Sequence, residues 1–240
     1  IPIKIWTDFI EDGALDQAKN LANLPFTDKW IAIMPDTHLG YGMPIGGVIA
    51  TNRVVIPNAV GVDIGCGMKA RKTNLKEIEK ETLKKVLNQI QRDIPTGFNH
   101  QRTPQTISNE LIDMTKQLSY DNVKFREIVN KMPDQMGTLG GGNHFIEIQK
   151  GDDGHIWIML HSGSRHIGKS LADYHIDKAK GFMKDMFISL PDPDLAYFAE
   201  SQEEFKRYIR DVEWAQAYAF ENRREMMRRI KKDLAYAVYG

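Results

Sequence analysis

Hydrophobic positions along this chain fall into two alternating textures. Residues 1–30 begin with a short strand-like stretch and continue into a helix-like run over 15–24. Over residues 30–73, short apolar runs such as Trp30-Ile31-Ala32-Ile33-Met34 and Val54-Val55-Ile56 are punctuated by glycine and proline. That pattern predicts buried strands joined by tight turns. Residues 74–132 turn polar and helical: within 76–92, Ile78, Leu83, Val86, Leu87 and Ile90 recur at amphipathic spacing. After a looser loop over 95–106, further helical runs are predicted at 108–118 and 122–132. Glycine-rich strand texture returns over 137–168. There Phe145-Ile146-Glu147-Ile148 and Ile156-Trp157-Ile158-Met159-Leu160 flank Asp152-Asp153-Gly154, which predicts a hairpin. From residue 170 the pattern is helical, broken at Pro191-Asp192-Pro193, with Trp214, Tyr218 and Phe220 near helical spacing as expected core. The fold class is therefore α+β (mixed α/β), with helices inserted between two glycine-rich strand regions and no internal repeat.

Composition narrows the class without naming a function. The 240 residues suffice for one large domain or two small ones, with a substantial core. Hydrophobic (42%) and charged (27%) fractions are those of an ordinary globular protein, and no apolar run reaches the ~18 residues of a membrane span. The start, Ile1-Pro2-Ile3-Lys4, carries no signal-peptide pattern and no initiating Met. The single cysteine, Cys66, excludes an internal disulfide, so a reducing cytoplasm is the expected location. Thirty-two basic residues balance 32 acidic ones, which argues mildly against a nucleic-acid binder. Even so, Arg223, Arg224, Arg228, Arg229, Lys231 and Lys232 crowd the last helical stretch, either as a solvated face or as a local phosphate-binding one.

Three segments carry chemistry. In Val62-Asp63-Ile64-Gly65-Cys66-Gly67-Met68, glycines on both sides of the cysteine permit a tight turn that could aim Asp63 and Cys66 at one point. A carboxylate with a thiolate suits a divalent transition metal. The competing reading is a buried apolar cysteine with Asp63 capping a turn. Gly140-Gly141-Gly142-Asn143-His144-Phe145 allows close approach of a phosphate and projects His144 from the start of a strand. His161-Ser162-Gly163-Ser164-Arg165-His166 ends a strand in a histidine, then offers hydroxyls, amides and a guanidinium, a set suited to phosphate. Either histidine could instead be a satisfied structural residue. Together, the three segments indicate an Asp/Cys/His/His metal site with a phosphate cradle, and the residue types alone do not reach the reaction.

Longer motifs extend this reading. Met34-Pro35-Asp36-Thr37-His38-Leu39-Gly40-Tyr41-Gly42, Ile45-Gly46-Gly47-Val48 and Val60-Gly61-Val62-Asp63-Ile64-Gly65-Cys66-Gly67-Met68 resemble the first signature of the RtcB family of RNA-splicing ligases. Gly137-Thr138-Leu139-Gly140-Gly141-Gly142-Asn143-His144-Phe145-Ile146-Glu147 and Trp157-Ile158-Met159-Leu160-His161-Ser162-Gly163-Ser164-Arg165 resemble the second and third. The resemblance spans essentially the whole chain.

The resemblance implies an RtcB-like catalytic domain over 1–240, its N-terminal part, with a helical insertion at 74–132. It implies two Mn²⁺ ions, one held by Asp63, Cys66 and His144 and the other by Cys66 and His161, with the sulfur bridging. Asn143 would lie near the phosphates of GTP, Phe145 and Glu147 would line its guanine pocket, and Arg165 would meet an RNA phosphate. The implied reaction joins an RNA 3′-phosphate or 2′,3′-cyclic phosphate to a 5′-hydroxyl through a histidine-GMP intermediate. Family members are longer, and their later part supplies another metal-binding histidine, the GMP-carrying histidine and a guanine-pocket lysine. No histidine here matches the GMP carrier, so the nucleophile is unknown and the activity of this chain alone is open. His38 and His166 receive no role beyond a structural one, and His166 stands where a small residue is expected. Competing readings are a two-metal phosphodiesterase or phosphatase and a non-catalytic metal- or RNA-binding fragment.

Overall fold

The computed structural model describes residues 1–118, 126 and 129–239. In chain order its elements are β1 (Ile3–Ile5), α1 (Asp12–Ala22), β2 (Thr27–His38), β3 (Ile45–Thr51), β4 (Val54–Val55), α2 (Pro57–Val60) and β5 (Gly67–Lys72). There follow α3 (Lys80–Asp93), α4 (Asn109–Thr115), α5 (Met132–Gln135), β6 (Phe145–Lys150), β7 (Ile156–Ser162), α6 (Arg165–Asp185), β8 (Phe198–Ala199) and α7 (Glu203–Tyr239). This is the expected α+β class. The helical run anticipated over 122–132 lies mostly outside the described residues. Among the described helices, none is long and apolar enough to cross a membrane.

The chain forms two compact units, Ile1–Val62 with Leu171–Arg210, and Asp63–Ser170 with Asp211–Gly240. In the first, β1 runs parallel to β2 and β2 antiparallel to β3. Ile31 and Ile33 point from β2 into a core completed by Ala18 and Leu21 of α1, Leu24, Ile56 and Leu195. The α1 residues Ala14, Gln17, Ala18 and Leu21 are buried at the spacing that puts them on one helix face.

The second unit holds the chemistry. Its sheet has the order β5-β7-β6, all antiparallel, with β7 central. Strict alternation along β7 sends Ile156, Ile158, Leu160 and Ser162 inward. Ile158 and Leu160 meet Val86 and Ile90 of α3 and Met226, Met227 and Ile230 of α7 in one core. The predicted hairpin is present: β6 and β7 pair from Phe145↔His161 to Lys150↔Ile156, closed by a turn in which Gly154 N donates to Gly151 O at 2.9 Å. Asp153 takes up the turn's donors, the amide of His155 and the indole of Trp157, and pairs with Lys72.

Three expectations are adjusted. Helix α3 starts at Lys80 rather than near 76, because Ile78 packs on the core from just before the first turn, where a hydrophobic staple sits. Helix α6 starts at Arg165 rather than 170. Gly168 falls in its first turn, where a Cβ would overlap Ser164 Oγ. Trp214 and Tyr218 are buried and stacked 5.5 Å apart, but Phe220 is exposed and lies under the Lys69 ammonium.

One buried carboxyl strains this unit electrostatically. Asp233 on α7 is 4% exposed, and its Oδ2 has no hydrogen-bond partner among the described residues. Burial, and then the Asp93 carboxylate beside it, push its pKa up to about 6, against the opposing pull of Lys232 and Arg229. A carboxyl whose folded pKa exceeds the unfolded value of ~3.9 favours the folded state only while protonated, so its contribution is lost as pH rises from about 4 to about 6. Asp233→Asn is therefore expected to raise thermal stability at pH 7.5, by about 1 kcal/mol, and to change it little at pH 4.5. An equal effect at both pH values would show that the carboxyl is not strained.

Candidate metal centre

The segment after Val62 turns sharply, with Cys66 N donating to Asp63 O at 3.0 Å. Gly65 makes the turn possible twice over. Its φ of 77° is in the left-handed region, and a Cβ there would sit 2.9 Å from Ala219 Cβ and 3.0 Å from Gln216 Cα on α7. The turn is thus pressed against a helix, and Asp63 and Cys66 project from its outer side.

Two strand ends supply the histidines. His144 immediately precedes β6 and His161 is the penultimate residue of β7, and pairing of Phe145 with His161 brings both to one end of the sheet. His144 Nε2 lies 2.9 Å from Asp63 Oδ2 and 3.6 Å from Cys66 Sγ. His161 Nε2 lies 2.9 Å from the same sulfur. The four residues singled out as metal ligands therefore converge, with the sulfur touching both rings.

The tautomer of His144 matters. Its Nδ1 is 2.9 Å from the Leu139 carbonyl, which can only accept, so Nδ1 carries the proton. In the neutral ring Nε2 then offers a lone pair toward a carboxylate oxygen that also offers lone pairs. Two acceptors 2.9 Å apart need a proton or a cation between them. A carbonyl behind the far nitrogen is also the usual way a metal-binding imidazole is oriented.

Donor atoms of Asp63, Cys66 and His144 all lie within 4.8 Å of one another, close enough to share one ion at bond lengths near 2.0–2.3 Å. An oxygen, a sulfur and a nitrogen suit a divalent transition metal better than Ca²⁺ or Mg²⁺. Burial works against charge on Asp63, but hydrogen bonds from His144 and Cys66, with the charges of His144 and Arg165, outweigh it and hold the carboxyl below its ordinary range. Burial, followed by the Asp63 carboxylate, pushes the Cys66 thiol up to about 12, with Arg223 pulling the other way. A cation entering this site must displace the thiol proton.

The helix α7 braces the loops in ways the sequence pattern did not disclose. Arg223 Nη1 donates to Gly65 O and Ser162 O, both at 2.6 Å, tying the Asp63–Cys66 turn to the end of β7. Asn222 is fully buried; its Oδ1 accepts from Gly137 N and Thr138 N, and its Nδ2 donates to Thr138 O. The basic run at 223–232 is thus divided: Arg223 and Arg229 are half-buried, whereas Arg224, Arg228, Lys231 and Lys232 are exposed, with Arg228 and Arg229 sharing Glu225 and Arg224 pairing with Glu221. No periodicity marks the contacts of Arg223 and Asn222, because their partners lie 61 to 158 residues away.

The other predicted site residues are placed as follows. Asn143 directly precedes His144. Phe145 lies edge-on to His161, with ring centroids 5.5 Å apart. Glu147 is one cross-strand row farther along the same sheet face, opposite Met159, and accepts a short hydrogen bond from Gln149. Arg165, at φ 62°, donates from Nε to Thr138 Oγ1 and from Nη2 to Gly97 O, both at 3.0 Å. Gly140, at φ 95°, gives that guanidinium and the His144 ring the room a Cβ would occupy. The imidazole of His38 contacts its own Asp36 carbonyl, and that of His166 contacts Ser170 on the same helix.

This constellation can be compared with known proteins. The sequence profile of the family described as tRNA-splicing ligase RtcB matches residues 17–127 and 114–239. The chain belongs to the RtcB family. Among RtcB proteins, the RNA-splicing ligase RtcB of Escherichia coli K12 is 40% identical over 246 residues, covering 95% of this chain and 60% of that relative. The tRNA-splicing ligases RtcB of Nanoarchaeum equitans and Pyrobaculum aerophilum are 30% and 28% identical, each aligned to 97% of this chain. The chain thus spans about 60% of the length of the curated RtcB relatives it matches.

Proposed function

We propose that this chain carries the metal- and guanine-nucleotide-binding part of an RNA ligase, one that seals a 3′-phosphate or 2′,3′-cyclic phosphate end to a 5′-hydroxyl end with Mn²⁺ and GTP. The observation that carries the reading is the convergence of Asp63, Cys66, His144 and His161 within an RtcB-family chain. In this reading Asp63, Cys66 and His144 hold one manganese ion, and Cys66 and His161 contribute to a second. Bound there, the ions would draw charge from phosphoryl oxygens and from the attacking and leaving groups.

The protein's own groups do the positioning. The Leu139 carbonyl fixes the His144 ring, and Arg223 holds the turn that presents Asp63 and Cys66. Asn143 and the amides of the preceding glycines face the GTP phosphates, while Phe145 and Glu147 line the base. A carboxylate at 147 accepts from the N1–H and 2-amino groups of guanine, donors that adenine does not present on that edge. Arg165 keeps guanidinium donors beyond its two internal bonds for an RNA phosphate. GMP is taken up by a histidine that none of the matched motifs contains. A lone thiol that must remain a thiol favours a reducing, cytoplasmic setting.

Calorimetric titration with Mn²⁺ present is expected to show GTP binding at least tenfold tighter than ATP. Glu147→Gln should erase that preference while leaving triphosphate binding in place. Equal affinity for both nucleotides in the unsubstituted chain would overturn the guanine assignment. Incubation with GTP labelled on its α-phosphate, Mn²⁺ and the two RNA ends tests the reaction class. Labelled protein with joined RNA supports a ligase, whereas opening of the cyclic phosphate or release of inorganic phosphate, without label, would favour a two-metal phosphodiesterase or phosphatase.

A further inference from the structure

A polar cleft of about 1080 Å³ opens in the second unit, between the C-terminal part of α3, the loop over 95–105 and the last turns of α7. Arg92, His100, Arg102 and Lys232 line it and are exposed. Arg228 and Arg229 line it too, but are engaged by Glu225. Only Asp93 and Asp233 among its lining residues are acidic, so the cleft carries a positive excess in a chain of zero net charge.

The loop that forms one wall is pinned. Leu139 N donates to Pro95 O at 2.9 Å, Gln101 N to Asp134 O at 2.8 Å, and Gln105 N to Pro133 O at 3.0 Å. Gln101 Nε2 adds a bond to Gly137 O. On this fixed loop Phe98 is 101% exposed, with its neighbour Asn99 lining the cleft. This fully exposed phenyl ring has no packing role in this unit, and it stands next in sequence to a residue of the basic cleft. The loop also joins the metal centre: Gly97 N donates to Gly140 O at 2.8 Å, and Gly97 O accepts from Arg165. Phe98 thus follows directly on the residue clamped to the glycine-rich loop that leads into Asn143 and His144.

We propose that this cleft binds single-stranded RNA, one base stacking on Phe98 and the phosphodiesters running along Arg102 and Lys232. An aromatic platform beside a charged groove is how proteins hold single strands without reading their sequence. The strand held here is one that reaches the metal centre past Gly97. The inference rests on the ligase reading for the choice of RNA as ligand.

The two kinds of contact leave different signatures. Binding of a fluorescent 12-nucleotide RNA bearing a 3′-phosphate is followed by anisotropy over a KCl series, in EDTA so that the metal centre does not contribute. Arg102→Ala and Lys232→Ala are each expected to weaken binding and to flatten the log–log salt slope by about 0.7. Phe98→Ala should weaken binding by about fivefold or more with the slope unchanged. Lys84→Ala, on the exposed, opposite-end part of α3, should change neither. All these side chains are exposed, so their loss does not threaten the fold. Wild-type binding by all three cleft variants, or no RNA binding by the unsubstituted chain, overturns the cleft assignment. Neither result bears on the ligase reading, which stands or falls on the GTP and joining measurements.

Discussion

On the proposed assignment of two manganese ions, Cys66→Ala is expected to take the manganese content from two ions to none in a single step. The reason is geometric: Cys66 Sγ lies 3.6 Å from His144 Nε2 and 2.9 Å from His161 Nε2, so one sulfur serves both imidazoles. Removing it leaves the first ion with Asp63 and His144, and the second with His161 alone from this set. Loss of an outer-sphere partner commonly costs 10–100-fold in metal affinity, so loss of a shared direct ligand should cost about 100-fold or more at each site. The fold should not suffer, because Cys66 is exposed. Metal analysis after desalting, together with the thermal midpoint of the metal-free protein, separates the outcomes. A variant that retains two ions would sink the bridging assignment. Retention of one would confine the sulfur to a single ion.

Much of the second unit was legible because its signals are local. The hairpin β6–β7 follows from two alternating apolar runs around Asp152-Asp153-Gly154, and α3 from a 3.6-residue period. Boundaries failed where tertiary packing decided them. Ile78 belongs to the apolar stripe by spacing, yet it packs as a staple before the helix begins. The glycine-rich texture runs to Gly168, yet that residue sits inside α6, packed so closely on Ser164 Oγ that a Cβ has no room.

The metal centre was legible in a different way. Asp63 and Cys66 are three residues apart and a turn suffices to bring them together, but His144 and His161 lie 78 and 95 residues from Cys66. Residue types in three glycine-rich segments suggested that they belong together, and motif resemblance divided them between two ions before the fold was known. The bracing residues had no such signal. Arg223 reads as one member of a basic run, and the choice there lay between a solvated face and a phosphate-binding one; it is instead an internal clamp on two carbonyls. Asn222 belongs to none of the motifs, although it is fully buried and satisfies the amides of the Gly137–Thr138 turn. Hydrogen bonds across such separations leave no period in the sequence.

Gly163 provides the sharper test of how the two ions are divided. It follows β7, two residues beyond His161, and a Cβ placed on it would overlap both carboxylate oxygens of Asp63. Its φ is not in the positive range, so alanine is acceptable to the backbone, and the atoms nearest to the added Cβ are those of the Asp63 carboxylate. Gly163→Ala should therefore push the Asp63 carboxylate aside and break its 2.9 Å approach to His144 Nε2. The ion assigned to Asp63, Cys66 and His144 should weaken by about 100-fold, while the ion assigned to Cys66 and His161 is retained. Stoichiometry by calorimetric titration with Mn²⁺ should fall from two to one, in contrast with the complete loss in Cys66→Ala. Near-ultraviolet circular dichroism checks that the sheet end is undisturbed, since a general distortion there would weaken both ions together. Two undiminished sites in Gly163→Ala would mean that the Asp63 carboxylate is not a ligand, and that His144 holds it for structural reasons only.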